Sequence, residues 1–447
     1  MSTSSDEWIL IVGAGPTGLT LAIDLARRNV AFRLIEAAPR PFTGSRGKGL
    51  QPRTLEIFDD LGVIDAVLAL GSLYPRVRIH AGPFSWRFGS LGSSNLPTAD
   101  VPYPNLWMVP QSRTEEILRE RLHELGEEVE FGVALVDFTQ GEDGILATLT
   151  NGELVRAGYL VGCDGARGTV RKSLGLPLIG ETLSEKLSLV GDVRVVGLDR
   201  QDWHVWPFAK GGPVGLCPLP GTELFQITAP ASTETRIEQA VEEASGYRVS
   251  YVAWSSIYRS QVRMVERFRV GRIFLAGDAA HVHPPAGGQG LNTGVQDAYN
   301  LGWKLASVVR GGDPGLLDTY EAERLPVAAA VLGLSKRLAQ TRSFKRGDLT
   351  NQLGLNYRSS SLSTGGAAFG KLRPGDRMPD VRLEDGSRLF DQMRGPHATV
   401  VETPGGARIL VRPDGYIASI GTAEVAEYTG VPTRVVRTVL LARWLSA

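Results

Sequence analysis

Residues Trp8 to Glu36 constrain the chain more than any other stretch. Trp8 to Val12 is a short apolar run, and Gly13-Ala-Gly15-Pro-Thr17-Gly18 follows at once. Leu19, Ala22, Ile23 and Ala26 then fall at the i, i+3, i+4, i+7 spacing of one helix face. Ala31 to Ile35 is a second apolar run, closed by Glu36. Strand, glycine turn, helix, strand and acid in this order predict a βαβ unit shaped for a dinucleotide. Gly13 makes the tight turn, Gly15 lets a pyrophosphate approach the backbone, and Gly18 lets helix and strand pack closely. Glu36 would take the ribose hydroxyls of an adenosine half. Its charge disfavours a 2′-phosphate, which leaves FAD or NAD rather than NADP for this site.

A second stretch, Gly271 to Gly294, points the same way. Ile273 to Ala276 reads as a buried strand ending in Gly277-Asp278. A loop of glycines and prolines follows, with Pro285, Gly288, Gly290, Leu291 and Asn292, and then a helix carrying Val295, Ala298, Tyr299 and Leu305. A carboxylate at a strand end is placed to hold a hydroxyl. The glycines let the backbone approach a flat ligand, and a helix start presents free N–H groups to negative charge. His281 and His283 lack a third ligand for a metal and read as structural loop histidines.

Between these stretches, Arg46, Lys48 and Arg53 lie on a glycine-bearing loop where cations would suit a phosphate, although Lys48 reads equally as a solvated charge. Gln111 opens a helix that runs to Leu125, where it could reach a ligand or cap the helix. The strand Tyr159–Gly162 leads into Cys163-Asp164-Gly165-Ala-Arg167, a second turn of the ligand-touching kind. Val77 to Phe88 predicts two strands, and Glu128 to Phe138 with Leu146 to Thr150 a strand pair. Residues 187–257 hold short strands rich in Val, Trp, Phe and Tyr, read as a largely antiparallel sheet forming one face of a substrate chamber. Trp203, Trp206, Phe208, Phe225 and Trp254 are candidates to line it, each also suited to ordinary core. Asp313-Pro314 caps a long helix. Residues 359–376, rich in Ser and Gly, read as a linker. Strands at Ala398–Glu402 and Arg408–Val411 and a last helix at Val435–Leu445 make a small appended module.

Length and charge set the outer bounds. The 447 residues suffice for two or three domains and a large core. Lys plus Arg and Asp plus Glu balance at 48 each, so nothing steers the chain to nucleic acid or an anionic membrane. Cys163 and Cys217 offer no disulfide framework. The first residues lack the regions of a signal peptide, and no apolar run reaches membrane-spanning length, so the expectation is a cytoplasmic protein.

Taken together, Gly13-Ala-Gly-Pro-Thr-Gly18, the Asp164-Gly165 turn, and Gly277-Asp278-Ala-Ala-His281 with Pro285-Ala-Gly-Gly-Gln-Gly-Leu-Asn292 resemble the class A FAD-dependent aromatic monooxygenases, the para-hydroxybenzoate hydroxylase-like enzymes. The similarity is greatest to the aromatic-polyketide hydroxylases of secondary metabolism. The resemblance implies an α/β fold. A Rossmann-like, glutathione-reductase-like FAD-binding domain would be built from 1–75, 105–180 and 265–312. A mostly antiparallel substrate-binding sheet at 76–104 and 181–264 would be inserted in it. A long helix and helical connection at 313–358, the linker at 359–376 and a small thioredoxin-like module at 377–447, shorter than the family's usual one, would follow. It further implies that Gly13, Gly15, Thr17, Gly18, Glu36, Arg46, Gln111, Asp164, Asp278, Pro285, Gly288, Gly290, Leu291 and Asn292 contact bound FAD. Arg46 and Pro285 would sit near the reactive ring; Trp206, Phe208, Phe225 and Trp254, from the residue pattern above, are the candidates to meet the substrate. NADPH would be the transient reductant, and a flavin hydroperoxide would hydroxylate a polycyclic or polyketide-type small molecule, with no catalytic triad required. The same motifs would also serve a cyclase that keeps FAD as a scaffold, or a Baeyer–Villiger oxygenase of a polyketide ketone. Gly47 and Gly168 stand where many relatives carry Ala and Ser. Oligomeric state is not legible.

Overall fold

The first strand, Ile9–Val12, is buried at all four positions, as a central strand of a parallel sheet covered on both faces must be. The structure is a computed structural model and describes residues 8–90, 94–284, 287–341, 348–383, 385–422 and 428–437. Ile9–Val12 pairs in parallel with Phe32–Glu36 on one side and Tyr159–Gly162 on the other. The six-stranded sheet runs Arg269–Val270, Ile273–Leu275, Tyr159–Gly162, Ile9–Val12, Phe32–Glu36, Glu130–Phe131. Only the outermost pair, 269–270 with 273–275, is antiparallel. Three strand ends are laced together. Gly13 N donates to Ile35 O at 2.8 Å, Cys163 N to Val12 O at 2.7 Å, and Ala276 N to Gly162 O at 3.0 Å. The three motif turns singled out in the sequence therefore share one edge of the sheet.

Two helices leave that edge side by side, Pro16–Ala26 and Gly290–Val309. Their closeness explains glycines that the dinucleotide motif does not. A Cβ on Gly294 would lie 2.4 Å from Thr17 Oγ1, and one on Gly302 would lie 2.4 Å from Asp24 Oδ2. A separate eight-stranded sheet runs His281–Val282, Val249–Met264, Ile179–Val195, Phe225–Ala231, Val214–Pro218, Asp202–Trp206, Arg76–Ala81, Phe84–Ser90. It is antiparallel except where Asp202–Trp206 meets Arg76–Ala81. Among the described residues no helix is long and apolar enough to cross a membrane.

Three expectations change. The strand pair expected over Glu128–Phe138 and Leu146–Thr150 is Leu135–Gly141 with Gly144–Leu149. Glu130–Phe131 joins the main sheet instead, because Gly132, at φ +75°, turns the chain between the two. Val435 and Val436, read as the start of a last helix, belong to the strand Thr433–Arg437, paired in parallel with Val400 and Val401. Branched side chains on a half-covered sheet prevail there over helical periodicity, and residues 438–447 lie outside the described residues. The Ser/Gly-rich stretch 359–376, read as a linker, is tied down. Thr364 N donates to Ala418 O at 2.8 Å and Gly375 N to Ile417 O at 2.7 Å. Ser and Gly supply turn hydrogen bonds as readily as freedom.

The C-terminal sheet runs Ile417–Gly421, Arg408–Val411, Ala398–Glu402, Thr433–Arg437. It is fastened to the rest through buried charges. Glu323, on the helix Asp318–Thr341, accepts from Arg412 Nη1 at 2.6 Å, Arg412 Nη2 at 2.9 Å, Lys304 Nζ at 2.7 Å and Ser360 Oγ at 2.6 Å. Burial works to raise the Glu323 carboxyl, but Arg412 and Lys304 hold it well below the usual carboxylate range. Removing one partner of such a cluster strands the others without compensation. Glu323→Ala is therefore predicted to lower the unfolding free energy by about 3–5 kcal/mol at neutral pH in chemical denaturation. A carboxyl depressed in the folded state contributes stability that is full above its unfolded value, about 4.3, and is lost as pH falls. The gap between wild type and variant is predicted to narrow steadily below that pH.

Candidate active site

The first turn carries the geometry that its glycines require. Gly13 adopts φ +103°, and a Cβ there would lie 2.5 Å from Cys163 O. A Cβ on Gly18 would lie 1.9 Å from Gly13 O, whereas one on Gly15 would meet nothing within 4 Å. Gly13 and Gly18 thus serve the protein's own packing, and Gly15 alone faces open space. No side chain caps the helix Pro16–Ala26, so its first N–H groups stay available. Glu36 braces the turn, its Oε2 accepting from Ala14 N and its Oε1 from Ala38 N, both at 2.9 Å. Thr17 fills the gap between Gly277 and Gly294, with its Oγ1 2.6 Å from a Cβ built at Gly277.

Asp164 and Asp278 reach the same edge from the two later turns. Asp164 Oδ2 accepts from Val170 N at 3.0 Å, while its buried Oδ1 has no hydrogen-bond partner. The carboxylate lies over Gly168, where a Cβ would come 2.1 Å from Oδ1, so the glycine at this position accommodates Asp164. Burial pushes the Asp164 carboxyl up against the pull of those backbone N–H groups. Asp278 combines two properties that are usually exclusive. Its surface is exposed, yet surrounding protein pushes its carboxyl up, with His281 and Arg46 opposing. A side chain that is deep in the fold and still open to solvent lines a cleft. Among the described residues its carboxylate makes no hydrogen bond or ion pair. A Cβ on Gly290 would lie 3.9 Å from Asp278 Oδ1, which puts the carboxylate beside the start of the helix Gly290–Val309, also without a side-chain cap.

Asp297 fixes that second turn from below. It accepts from Gly277 N at 3.0 Å and Arg324 Nε at 2.7 Å, and His281 Nε2 lies 2.7 Å away. Burial works to raise its carboxyl, but Arg324 and His281 leave it lowered. His283 Nε2 lies 2.9 Å from His281 Nδ1. Burial, with His281 beside it, depresses His283 to about 3. Both histidines are thus tied into the network around Asp297.

Above the cleft runs the loop Phe42–Gln51, held at both ends. Asn292 Oδ1 accepts from Gln51 N at 2.8 Å, and its Nδ2 donates to Gly49 O and Gly288 O at 2.8 Å. At the other end Ser45 N donates to Asp192 Oδ2 at 2.7 Å, and Ser45 Oγ donates to Asp192 Oδ1. Gln226 Nε2 donates to Ser45 Oγ at 3.0 Å, and Lys48 Nζ donates to Gln226 Oε1 at 2.7 Å while lying 4.6 Å from the Trp203 ring centre. Trp254, Asp192, Gln226 and Cys217 are successive cross-strand partners, and Trp203 follows one residue beyond the His204–Leu216 pair. They form one row on one face of the eight-stranded sheet, and the loop lies along it. Arg46 projects from this loop, its guanidinium 5.5 Å from the Phe42 ring centre and 5.8 Å from that of Trp254.

That row sorts the sequence candidates. Trp254 stands in it. Phe225 and Trp206 are one strand position out of phase, so they point to the opposite face and pack with Ile237 and Val241 in the sheet's own core. Phe208 is 83% exposed on a loop. None of these three reaches the row, which corrects their reading as chamber walls. Of the three loop cations only Arg46 stays free toward the cleft. Lys48 is turned to the sheet, and buried Arg53 pairs with Glu56 at 2.8 Å and donates to Asp414 O at 2.7 Å. Gln111 caps nothing. Its Oε1 accepts from Gly47 N at 3.1 Å and its Nε2 donates to Glu115 Oε1 at 2.9 Å. Burial pushes the Glu115 carboxyl up to about 7. Leu291 lies against Gly47, with Cδ1 3.3 Å from a Cβ built there, and Gly288 adopts φ +62°. Pro285 lies outside the described residues. Sequence reading missed Phe42, Asp192, Gln226 and Glu115. Asp192 and Gln226 each interrupt an apolar strand, a legible signal that the opposite side of the sheet meets something polar.

A glycine turn open at Gly15, two uncapped helix starts on one edge and a deep, unpaired carboxylate at Asp278 fit a dinucleotide with a polyhydroxyl chain and a planar ring. They define an FAD-binding flavoprotein. The family described as FAD binding domain matches residues 7–335, and the chain belongs to it. A flavin-dependent monooxygenase of Mycobacteroides abscessus is 46% identical, over 92% of this chain and 96% of its own. Among solved structures, the OxyS anhydrotetracycline hydroxylase from Streptomyces rimosus is 31% identical with a TM-score of 0.73, covering 92% of this chain and 95% of that one. The rebeccamycin biosynthetic enzyme RebC with reduced flavin is 27% identical with a TM-score of 0.79, covering 95% and 97%. The protein is an FAD-dependent monooxygenase.

The glycines separate folding from binding. Gly15→Val is predicted to keep the melting temperature of the FAD-free protein within about 2 °C, because its side chain enters open space, and to abolish FAD retention on gel filtration. Gly18→Ala, driven against Gly13 O, is predicted to lower the melting temperature of the FAD-free protein by more than about 5 °C.

Proposed function

We propose that the enzyme hydroxylates an electron-rich ring of a bulky aromatic, polyketide-type molecule, using FAD reduced by NADPH. The observation that carries this reading is the placement of Arg46 beside the edge-to-face pair Phe42 and Trp254, above a cleft floored by Asp278 and the start of the helix Gly290–Val309. The substrate class is supported by the anhydrotetracycline hydroxylase similarity. In this reading the turn that Gly13, Thr17 and Gly18 shape receives the pyrophosphate at its open position, Gly15, while Glu36 takes the adenosine ribose and Asp278 the ribityl chain. Asp164 borders the cofactor, Gln111 supports the loop over it, and Gly288, Gly290, Leu291 and Asn292 lie against the ring with Pro285 near its reactive side. When bound, the flavin supplies electron transfer from nicotinamide to dioxygen and transfer of one oxygen atom to the substrate.

The chain's own work is then positioning and exclusion of water. Trp254 and Phe42 offer apolar faces that keep water from the reacting end and align a planar substrate. Arg46 adds positive charge there, which favours the ionised form of a substrate phenol and so a more electron-rich ring. No side chain is assigned as a general base. The appended module reads as a shortened thioredoxin-like unit, since its strand Ala398–Glu402 has one parallel and one antiparallel neighbour.

Mixing the FAD-loaded protein with NADPH without oxygen, with and without candidate polycyclic phenols, tests the reading through the flavin's visible absorbance. Bleaching is predicted, accelerated at least about tenfold by a bound aromatic, and when ¹⁸O-labelled dioxygen is then admitted its label is predicted to enter the product. Flavin that stays oxidised while the substrate is converted to an isomer of unchanged mass would replace hydroxylation with a non-redox cyclisation.

A further inference from the structure

The eight-stranded sheet ends in an edge strand, Phe84–Ser90, which pairs with Arg76–Ala81 on one side and with nothing on the other among the described residues. Phe84, Trp86 and Phe88 are 72%, 47% and 66% exposed. Spaced two apart, they share one face, and their cross-strand partners are Ala81, Ile79 and Val77. Natural sheets usually blunt such an edge with proline, a bulge or inward charge, and an uncovered aromatic edge is a template for another strand. The one register shift here leaves Gly89 extra between the pairs Arg76–Ser90 and Val77–Phe88, beyond the aromatic stretch Phe84–Phe88. Arg87, the one charge along it, turns to the opposite face and is occupied by Asp202, with Nε 3.0 Å from Oδ2.

We propose that this edge is where two copies of the chain join, pairing Phe84–Phe88 antiparallel with itself about a twofold axis at Trp86. Self-pairing across a sheet requires opposed residues to lie on the same face, which leaves only registers centred on a residue. Centring on Arg87 would set Arg87 against the partner's Arg87, a like-charge pair that disfavours that register. Centring on Ser85 would carry Phe88 past the hairpin turn at Gly82-Pro83. Centring on Trp86 opposes Trp86 with the partner's Trp86 and Phe84 with the partner's Phe88 twice over, and sets Arg87 against the partner's Ser85. Centring on Phe88 would set Trp86 against the partner's Ser90, and centring on Phe84 would run Trp86 onto the hairpin turn, so only the Trp86 register pairs all three aromatics on one face while keeping the two arginines apart. The outward backbone N–H and C=O groups of the strand gain partners in the same step.

Light scattering on the FAD-loaded protein across the micromolar range tests this. Twice the chain mass is expected for wild type, and the chain mass for Phe84→Ser/Trp86→Ser/Phe88→Ser, with the dissociation constant raised by more than about a hundredfold. Retained FAD absorbance shows that the variant is folded. Should the triple variant not fold, cysteine pairing still decides. Ser85→Cys and Arg87→Cys proteins are expected to form a mixed intermolecular disulfide when combined, and neither is expected to do so alone. A wild type that stays at the chain mass overturns the proposal, as does a dimer that survives the serine substitutions. A monomer whose serine variants lose affinity for aromatic substrates would assign the edge to ligand capture instead.

Discussion

The hydrogen bonds between Ser45 and Asp192 hold together two parts of the chain that the sequence keeps 147 residues apart. Everything above the cleft depends on them. Asp192 sits in the middle of the sheet row, with Gln226 on one side and Trp254 on the other. By accepting from both the backbone and the hydroxyl of Ser45 it sets the height of the loop over the sheet. Burial pushes the Asp192 carboxyl up, and the Ser45 donors oppose that rise. Such a buried acceptor is costly unless its bonds are made, which gives the loop one position rather than many. Arg46 is the next residue, so its place against both Phe42 and Trp254 follows directly. At the loop's other end Asn292 spends its whole amide on Gly49, Gln51 and Gly288. The roof and the floor of the cleft are thereby parts of one hydrogen-bonded frame.

A second constraint is the closeness of the two helices that leave the parallel sheet. Gly294 and Gly302 let the helix Gly290–Val309 settle onto Thr17 and Asp24 of the first helix. Both uncapped N-termini then converge on one edge, and their partial positive charges add where a pyrophosphate would lie. On the far side of the helix pair, Glu323, Lys304 and Arg412 fasten the C-terminal module to the core. The module is thus part of the folded unit that holds the long helix in place, although its own sequence carries no recognisable chemistry.

Most of the floor was legible in the sequence, because local patterns specify it. Gly13 to Glu36, Asp164-Gly165 and Gly277-Asp278 are each a strand followed by a turn, and a strand's end is written in consecutive residues. The roof was far less legible. Which of Trp203, Trp206, Phe225 and Trp254 faces the cleft depends on strand parity and on the pairing of strands distant in sequence, and a shift of one residue reverses the answer. Arg53 looked like a phosphate ligand beside Arg46, but its partners Glu56 and Asp414 include one from the far end of the chain. The strand at Thr433–Arg437 was missed for the same reason, since its partner Ala398–Glu402 is remote in sequence.

In the proposed reading one frame, floored by Asp278 and roofed by the Ser45–Asp192 loop, holds the flavin. A crystal structure of the FAD-loaded protein is the decisive measurement. Density is expected for the adenosine end at Gly13 to Gly18 and Glu36, and for the flavin ring between Arg46 and the start of the helix at Gly290. Flavin density outside the space between Arg46 and Gly288 to Asn292, or a loop displaced from Asp192 when FAD is bound, would contradict that reading.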